Sequence, residues 1–143
     1  KLQTREFKPK GTIFVISDFI GRPNRLSNQE IKRITDSGLI SIQSHTATHP
    51  DLTKSDKLTY ELKDSREKIE KITGKKVIAL AYPYGNINKR VVSETEKYYR
   101  YGLTTTPGPY TSSSTKKERY LLPRTYVTYS TSLKEFAKIV EVQ

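Results

Sequence analysis

The sequence predicts an α/β fold with a parallel sheet, and two observations lead to this prediction. Short β-branched and aromatic runs alternate with longer segments whose apolar residues recur every three to four positions, as in amphipathic helices. Capping residues and stop glycines separate these segments, and neither an internal repeat nor a clear linker divides the chain. Residues 1–143 are therefore expected to form a single domain with a modest core.

The strands are predicted from short apolar runs bounded by turn residues. The first run, GTIFVI, is the clearest, because it combines β-branched and aromatic residues. A loop rich in Pro, Gly, Ser and Thr is expected over residues 106–119, followed by an extended segment over 120–128. The four predicted strands cover residues 11–16, 39–43, 76–81 and 102–105.

Helix boundaries are marked by capping patterns. Ser27 and Glu30 form a capping box that begins the first helix, and Gly38 ends it. Ser132 and Glu135 form a second capping box before the last helix. Two further helices are predicted over residues 55–73 and 88–99. The apolar residues expected to face the core are Leu58, Leu62, Ile69 and Ile72 of the second helix and Phe136, Ile139 and Val140 of the last.

Three polar features follow predicted strands directly: Asp18, the pair His45 and His49, and the turn over residues 82–86. In parallel α/β folds, functional sites gather where strands end and turn into helices. These three features are therefore expected to lie at one edge of the sheet.

His45 and His49 are the only histidines in the chain, and Pro50 follows them. The proline and the intervening threonines disfavour a helix, so a tight loop is expected. Neutral imidazole is a common zinc ligand, and a third ligand would have to be a carboxylate, because the chain has no cysteine. The alternative is a pair of loop histidines that only caps or turns the backbone.

Four short motifs occur in an order typical of one family. SHTATH at 44–49 resembles a motif H-S/T-x-x-H, and AYPYG at 81–85 resembles a motif R-x-P-Y/F-G. GTIFVI resembles the strand upstream of the histidines, and LPR at 122–124 stands where the family has L-x-H. Over residues 7–140 the chain thus resembles the polysaccharide deacetylases (NodB-homology domains, carbohydrate esterase family four), in the branch that includes deacetylases of bacterial exopolysaccharide.

The resemblance implies a distorted (β/α) TIM-like barrel that lacks its first strand. It implies a metal-dependent hydrolase, with zinc as the first candidate metal, that removes N-acetyl groups from N-acetylglucosamine-containing polysaccharide or a peptidoglycan-type glycan. His45 and His49 match the metal-binding histidines, and Tyr84 matches the residue whose backbone N–H helps to form the oxyanion hole. Leu122 matches the leucine of the acetyl-methyl pocket. Tyr82 and Tyr84 are also candidates for stacking on sugar rings.

The chain departs from the family pattern at the residues for acid–base chemistry. The motif T-F-D-D should precede GTIFVI, yet no aspartate occurs in the ten residues before it. The motif arginine is Ala81, and the final histidine is Arg124. Asp18 is then a candidate third ligand, and Arg124 is a candidate to orient a carboxylate or bind an acidic substrate. An N-terminally incomplete domain is the favoured explanation, and a degenerate domain that only binds carbohydrate is the alternative.

The net charge of +11 favours an anionic partner or surface, such as nucleic acid, acidic lipid or an anionic cell-wall polymer. The basic residues are scattered, and no nucleic-acid motif or basic stripe is recognisable, so no nucleic-acid partner is expected. No apolar stretch reaches the ~20 residues of a membrane span. The expected location is extracellular or at the cell surface. A barrel without its first strand exposes unpaired sheet edges, so self-association is also expected.

Overall fold

The structure is a computed structural model that describes residues 8, 10–109 and 117–140. Its described part contains a four-stranded sheet in the order β1-β2-β3-β4, with all neighbours parallel. This confirms the predicted α/β class. The strands are β1 (Gly11–Val15), β2 (Ile40–Ser44), β3 (Ala79–Ala81) and β4 (Tyr101–Leu103).

Helices connect successive strands, as expected for parallel neighbours. The connecting helices are α1 (Asn28–Asp36), α2 (Ser65–Thr73) and α3 (Lys89–Tyr98), and α4 (Leu133–Val140) follows the last strand. A π-helical turn, Tyr60–Asp64, leads directly into α2. The predicted capping box of α1 is confirmed, since the Ser27 N–H donates to the Glu30 carboxylate at 2.8 Å and the Glu30 N–H donates to the Ser27 hydroxyl at 3.3 Å.

The core lies between the sheet and the inward faces of the helices. Leu58, Leu62 and Ile69 are buried and Ile72 is partly buried, so the predicted face of the second helical segment is confirmed. No helix in the described ranges is long and apolar enough to cross a membrane. The buried core residues are Val15, Ile31, Ile42, Leu52, Leu58, Leu62, Ile69, Val77, Leu80, Tyr82, Val91 and Tyr99.

The C-terminal part differs from the prediction in two ways. Of residues 120–128, only Leu122 pairs with the sheet, through an isolated bridge to Leu103, and the rest form no strand. On α4, the residues expected to face inward are exposed: Phe136 by 42%, Ile139 by 38% and Val140 by 52%. The inward orientation was therefore wrong. An amphipathic pattern identifies the apolar face of a helix but does not show whether another element covers it. Residues 110–116 of the predicted loop lie outside the described residues.

The side chain of Gln43 joins β2 to the start of β3. Its Oε1 accepts the backbone N–H groups of Ile78 and Ala79, both at 2.8 Å, and its Nε2 donates to the Ser41 hydroxyl at 2.8 Å. The regular pairing of β2 with β3 is limited to Ser44 opposite Leu80. Gln43 therefore supplies the hydrogen bonds that a longer β3 would otherwise provide.

Replacing Gln43 with leucine is expected to lower the free energy of unfolding by about 2 kcal/mol, because two backbone N–H groups lose their acceptor. Urea denaturation monitored by circular dichroism measures this change. Ser41→Ala is the matched control, since it removes only the acceptor of the Gln43 amide. Equal stability of both variants would contradict the role given to Gln43.

The sheet is strongly curved. β1 and β4 are its two end strands. Arg124 lies beyond β4, where its backbone N–H donates to the Thr106 carbonyl. The guanidinium of Arg124 nevertheless lies 5.9 Å from the ring of Phe14 in β1. Phe14 alternates along β1 with Ile13 and Val15, which pack in the core. Phe14 and Arg124 therefore lie on the concave face, and the sheet has the form of a partial barrel.

Candidate active site

His45 and His49 lie side by side in the loop that follows β2. Their ring centroids are 4.6 Å apart with an interplanar angle of 75°. The Nδ1 atom of His45 is 2.7 Å from the carbonyl oxygen of Ala81, at the end of β3. Because a carbonyl only accepts, Nδ1 carries the proton and Nε2 keeps its lone pair. A metal-binding histidine typically donates its other ring N–H in this way.

The backbone between the histidines forms the tight, non-helical loop that was predicted. Thr46 and His49 have positive φ angles of 69° and 65°. The His49 N–H donates to the Thr46 hydroxyl at 2.9 Å, and the Thr46 N–H donates to the Ser44 hydroxyl at 3.2 Å. These hydrogen bonds stabilise the turn in which both imidazoles come together.

The imidazole of His45 is in an environment that favours its neutral form. Burial lowers its pKa below the ordinary value. Electrostatic interactions with His49 and Arg124 lower the pKa further, whereas the hydrogen bond to the Ala81 carbonyl raises it. At neutral pH the ring is therefore uncharged. This is the form that coordinates a metal.

Tyr84 borders the histidine pair from the loop after β3. Its ring centroid lies 4.8 Å from that of His49, and its side chain is 64% exposed. Tyr84 has a positive φ of 58°, and Gly85 follows with a φ of 74°. A Cβ on Gly85 would collide with the side chain of Thr105. The turn over residues 82–86 therefore holds Tyr84 next to the histidines with most of its surface open to solvent.

Tyr82 is placed differently from the prediction. Its side chain is 0% exposed and packs against Gly102 of β4, and burial raises the pKa of its hydroxyl to about 12. A fully buried ring has no face to offer a sugar, so the stacking role suggested for Tyr82 was wrong. Tyr82 is a core residue that supports the turn carrying Tyr84.

Leu122 and Arg124 lie beside the end of β4. Leu122 is half-buried, and its backbone bonds to Gly102 and Thr104. The Nε of Arg124 donates to the Thr104 carbonyl at 2.7 Å. Arg124 thus lies on the same side of the sheet as His45, close enough to lower its pKa. Arg124 is still predicted to contact a carboxylate, and Leu122 is still predicted to contact an acetyl group.

Asp18 does not join the histidines. It lies in the short turn Ser17–Phe19 after β1, where its carboxylate accepts the Tyr60 hydroxyl and the Lys68 ammonium, the latter at 3.0 Å. Among the described residues, no group of three histidine, cysteine or acidic side chains could hold a metal ion. The suggestion that Asp18 is the third ligand was therefore wrong. Its carboxylate is bound by Tyr60 and Lys68 instead of lying next to the histidines.

The imidazoles of His45 and His49 thus supply two of the donors that a zinc site needs. His45 has the hydrogen bond and the neutral form that coordination requires, and His49 is adjacent to it. A third protein donor is not found within residues 8, 10–109 and 117–140. Asp51, next to the pair, accepts the N–H and hydroxyl of Thr53 at 3.0 and 2.7 Å, as expected of a turn residue.

Glu61 was not among the site residues predicted from the sequence. This residue is only 4% exposed, and its carboxylate binds the loop between the two histidines. A signal existed in the sequence, because Glu61 is three residues after Leu58 and eight before Ile69, on the face of the helix that was predicted to be buried. A carboxylate on a buried face requires a partner.

Comparisons with known proteins agree with this geometry. A sequence profile described as polysaccharide deacetylase matches residues 4–103. A protein of Bacillus subtilis (strain 168), YxkH, is 29% identical over 140 residues, which are 96% of this chain and 49% of that protein.

Solved structures are similar as well. The crystal structure of a polysaccharide deacetylase from Bacillus cereus has a TM-score of 0.93 and 43% identity, with 98% of this chain and 44% of that chain covered. The Streptococcus pyogenes deacetylase PplD, in complex with acetate, has a TM-score of 0.84 and 28% identity, with 93% of this chain and 59% of that chain covered. A Bacillus anthracis pseudoenzyme of carbohydrate esterase family four is 26% identical with a TM-score of 0.55, and 63% of this chain and 31% of that chain are covered.

The chain spans about half the length of YxkH and less than half of the Bacillus cereus structure. The described fold is accordingly a part of the deacetylase barrel, as its curved parallel sheet indicates. With the profile match, the motif order and the paired histidines at the strand ends, the chain belongs to the polysaccharide deacetylase family.

Proposed function

We propose that this chain provides the metal-binding part of a hydrolase that removes N-acetyl groups from an N-acetylglucosamine-containing polysaccharide. The observation that carries the proposal is the His45–His49 pair, with Nδ1 of His45 bonded to the Ala81 carbonyl. A merely structural pair would not need two adjacent imidazoles with one of them held neutral by burial. Family membership supports a polysaccharide as the substrate.

His45 and His49 would hold the divalent metal, for which zinc is the first candidate because neutral imidazole suits it. When bound, such a metal polarises the amide carbonyl and activates a water. The backbone N–H of Tyr84 would stabilise the developing oxyanion, and its exposed ring would contact the sugar. Leu122 would form the apolar wall for the acetyl methyl group. Arg124 would orient an acidic group near His45.

The proposed location is the cell surface or the extracellular space, where polymers of this kind are found. The net charge of +11 supports binding to an anionic envelope. The same charge does not by itself indicate nucleic acid, because the basic residues are scattered along the sequence.

Acetate release from N-acetylated chito-oligomers and from poly-N-acetylglucosamine tests the proposal. A chain extended by an upstream strand with the T-F-D-D motif is expected to release acetate when loaded with zinc, and the same chain with His45→Ala is expected to release none. Inactivity of the extended, zinc-loaded chain on every such polymer would contradict a hydrolytic function.

A second candidate is a carbohydrate-binding domain without catalysis. It is supported by the missing third acidic ligand in the described ranges and by the similarity to a structure described as a family pseudoenzyme. This candidate predicts sugar binding that survives both chelation and His45→Ala. Loss of binding on addition of a chelator would contradict it.

We also propose that two copies pair through β1. Within the described part of the chain, no strand pairs with the outer edge of β1. The Gly11 N–H donates to the Leu39 carbonyl, and the Val15 carbonyl accepts the His45 N–H. The backbone groups of the odd-numbered residues of β1 therefore bond to β2, and the backbone N–H and C=O groups of Thr12 and Phe14 point away from β2. Such an edge is a template for another strand.

Sedimentation velocity over a range of concentrations is expected to show self-association of the wild-type chain. Thr12→Pro is expected to reduce it, because proline removes an outward N–H without breaking a bond to β2. A monomer at all concentrations, with cooperative unfolding, would contradict the pairing.

A further inference from the structure

We propose that Glu61 is the positioning residue of the histidine pair. Its carboxylate fixes the loop between His45 and His49, so that the two imidazoles are held together before any metal arrives. The expected effect on metal affinity rests on the proposed function, whereas the effect of Glu61 on the loop can be tested without a metal.

The contacts of Glu61 fall on the two residues at the centre of the loop. Its Oε2 accepts the backbone N–H of Ala47 at 3.0 Å and that of Thr48 at 2.9 Å. Its Oε1 accepts the Thr48 hydroxyl at 2.6 Å. Because Glu61 is 4% exposed, the carboxylate has exchanged water for these three donors, and charged hydrogen bonds of this kind are strong.

The loop is also held from its other side. The Thr46 carbonyl accepts the Ser17 N–H and the Ala47 carbonyl accepts the Asp18 N–H, both at 3.0 Å. The Thr46 and Ala47 carbonyl groups are thus bound by backbone N–H groups of the turn after β1, whereas the Ala47 and Thr48 N–H groups are bound by the side chain of Glu61. The bonds to Glu61 can therefore be removed by a substitution outside the loop and outside the turn after β1.

The π-helical turn explains how one helix reaches both loops. Tyr60 donates to Asp18 in the turn after β1, while the next residue, Glu61, binds the histidine loop. The Leu62 carbonyl of the same turn accepts the Tyr99 hydroxyl at 2.6 Å. A π-helical turn widens the helix and is frequent at functional sites. Here it directs two adjacent side chains at the two loops that meet at the site.

The loop needs this support because its conformation is unfavourable. Thr46 and His49 both have positive φ angles, of 69° and 65°, which a β-branched residue such as threonine rarely adopts. Without Glu61, two backbone N–H groups would lose their acceptor and the loop could relax towards ordinary φ values. The imidazoles would then separate, although both histidines would still be present.

Two replacements of Glu61 distinguish positioning from bulk stability. Glu61→Ala removes all three bonds. Glu61→Gln can keep them, because its carbonyl oxygen can accept from the Ala47 and Thr48 N–H groups while its NH₂ donates to the Thr48 hydroxyl, which then becomes an acceptor. The glutamine variant is therefore expected to rescue the loop.

Glu70→Ala is the matched control. Glu70 lies in α2, and its half-buried carboxylate accepts the Val77 N–H at 3.0 Å and the Arg66 Nε at 3.2 Å. Like Glu61, Glu70 belongs to this helical segment and binds a backbone N–H of a loop, but the loop is a different one. Glu70→Ala therefore lowers stability by removing a similar hydrogen bond and leaves the histidine loop intact.

The test is residue-resolved amide hydrogen exchange on the full 143-residue chain, followed by zinc titration of the same variants. Exchange at Ala47 and Thr48 is expected to accelerate in Glu61→Ala relative to the core amides of β2, and to stay close to wild type in Glu61→Gln and Glu70→Ala. Zinc affinity is expected to fall about tenfold or more in Glu61→Ala, the effect typical of losing a group that orients a metal ligand.

Unchanged exchange at Ala47 and Thr48 in Glu61→Ala would overturn the proposal, and so would an equal acceleration in Glu70→Ala. Failure of the proposed function looks different: the wild-type chain would take up no zinc while its loop amides stayed protected. In that case the exchange comparison would still decide the role of Glu61.

Discussion

Replacing either His45 or His49 with alanine is expected to lower zinc affinity by more than about 100-fold, and the double variant is expected to show no specific uptake. Each imidazole supplies one of the two donors that the site presents, and the rings are 4.6 Å apart. Even groups that only orient a ligand contribute about 10–100-fold to metal affinity, so loss of a ligand itself must cost more. Isothermal titration calorimetry at neutral pH measures the change.

Asp18→Asn is the matched control for the histidine variants. Asp18 lies after a neighbouring strand, but its carboxylate is bound by Tyr60 and Lys68. Its neutralisation is therefore expected to leave zinc affinity unchanged. Wild-type affinity in the double histidine variant would show that zinc binds elsewhere, and a large loss in Asp18→Asn would restore Asp18 as a ligand.

Gly102→Ala is expected to destabilise the fold by about 3 kcal/mol, the upper range for a side chain inserted into a packed core. A Cβ at position 102 would lie 2.7 Å from Cζ of Tyr82, and the Tyr82 ring is completely buried, with no room to move away. Because Tyr82 leads into the turn carrying Tyr84, the change is also expected to disturb the site. Urea denaturation measures the loss of stability.

Gly11→Ala is the control, since the nearest atom to its Cβ would be the flexible end of Ile40 at 3.2 Å. This variant is expected to change stability far less. Combining Gly102→Ala with Tyr82→Leu should recover part of the lost stability by removing the ring. If the double variant is as unstable as the sum of the single variants, the contact between Gly102 and Tyr82 is not the cause.

The proximity of His45, His49 and Tyr84 could be predicted from the sequence, because the end of a strand determines each position. His45 directly follows β2, and the turn with Tyr84 directly follows β3, so parallel pairing brings both to one edge of the sheet. The tight loop between the histidines could be predicted because Pro50 and the threonines disfavour a helix. These features depend on local chemistry and on one rule of topology.

The features that could not be predicted depend on long-range packing. Glu61 is 13 and 14 residues from the backbone groups it binds, and the π-helical turn that directs it has no sequence pattern. Tyr82 and Tyr84 are two positions apart in the same motif, yet one is 0% exposed and the other 64%. Tyr82 can be buried because Gly102 has no side chain, and only the folded sheet places Gly102 against Tyr82.

An NMR titration of the imidazole nitrogens with zinc decides whether the histidine pair binds a metal. Resonances of both His45 and His49 are expected to shift together and to saturate at one zinc per chain. Nε2 is expected to be the coordinating atom of His45, because its Nδ1 is bonded to the Ala81 carbonyl. Imidazole resonances that do not respond to zinc, or a response of only one of the two histidines, would contradict a metal site at this pair.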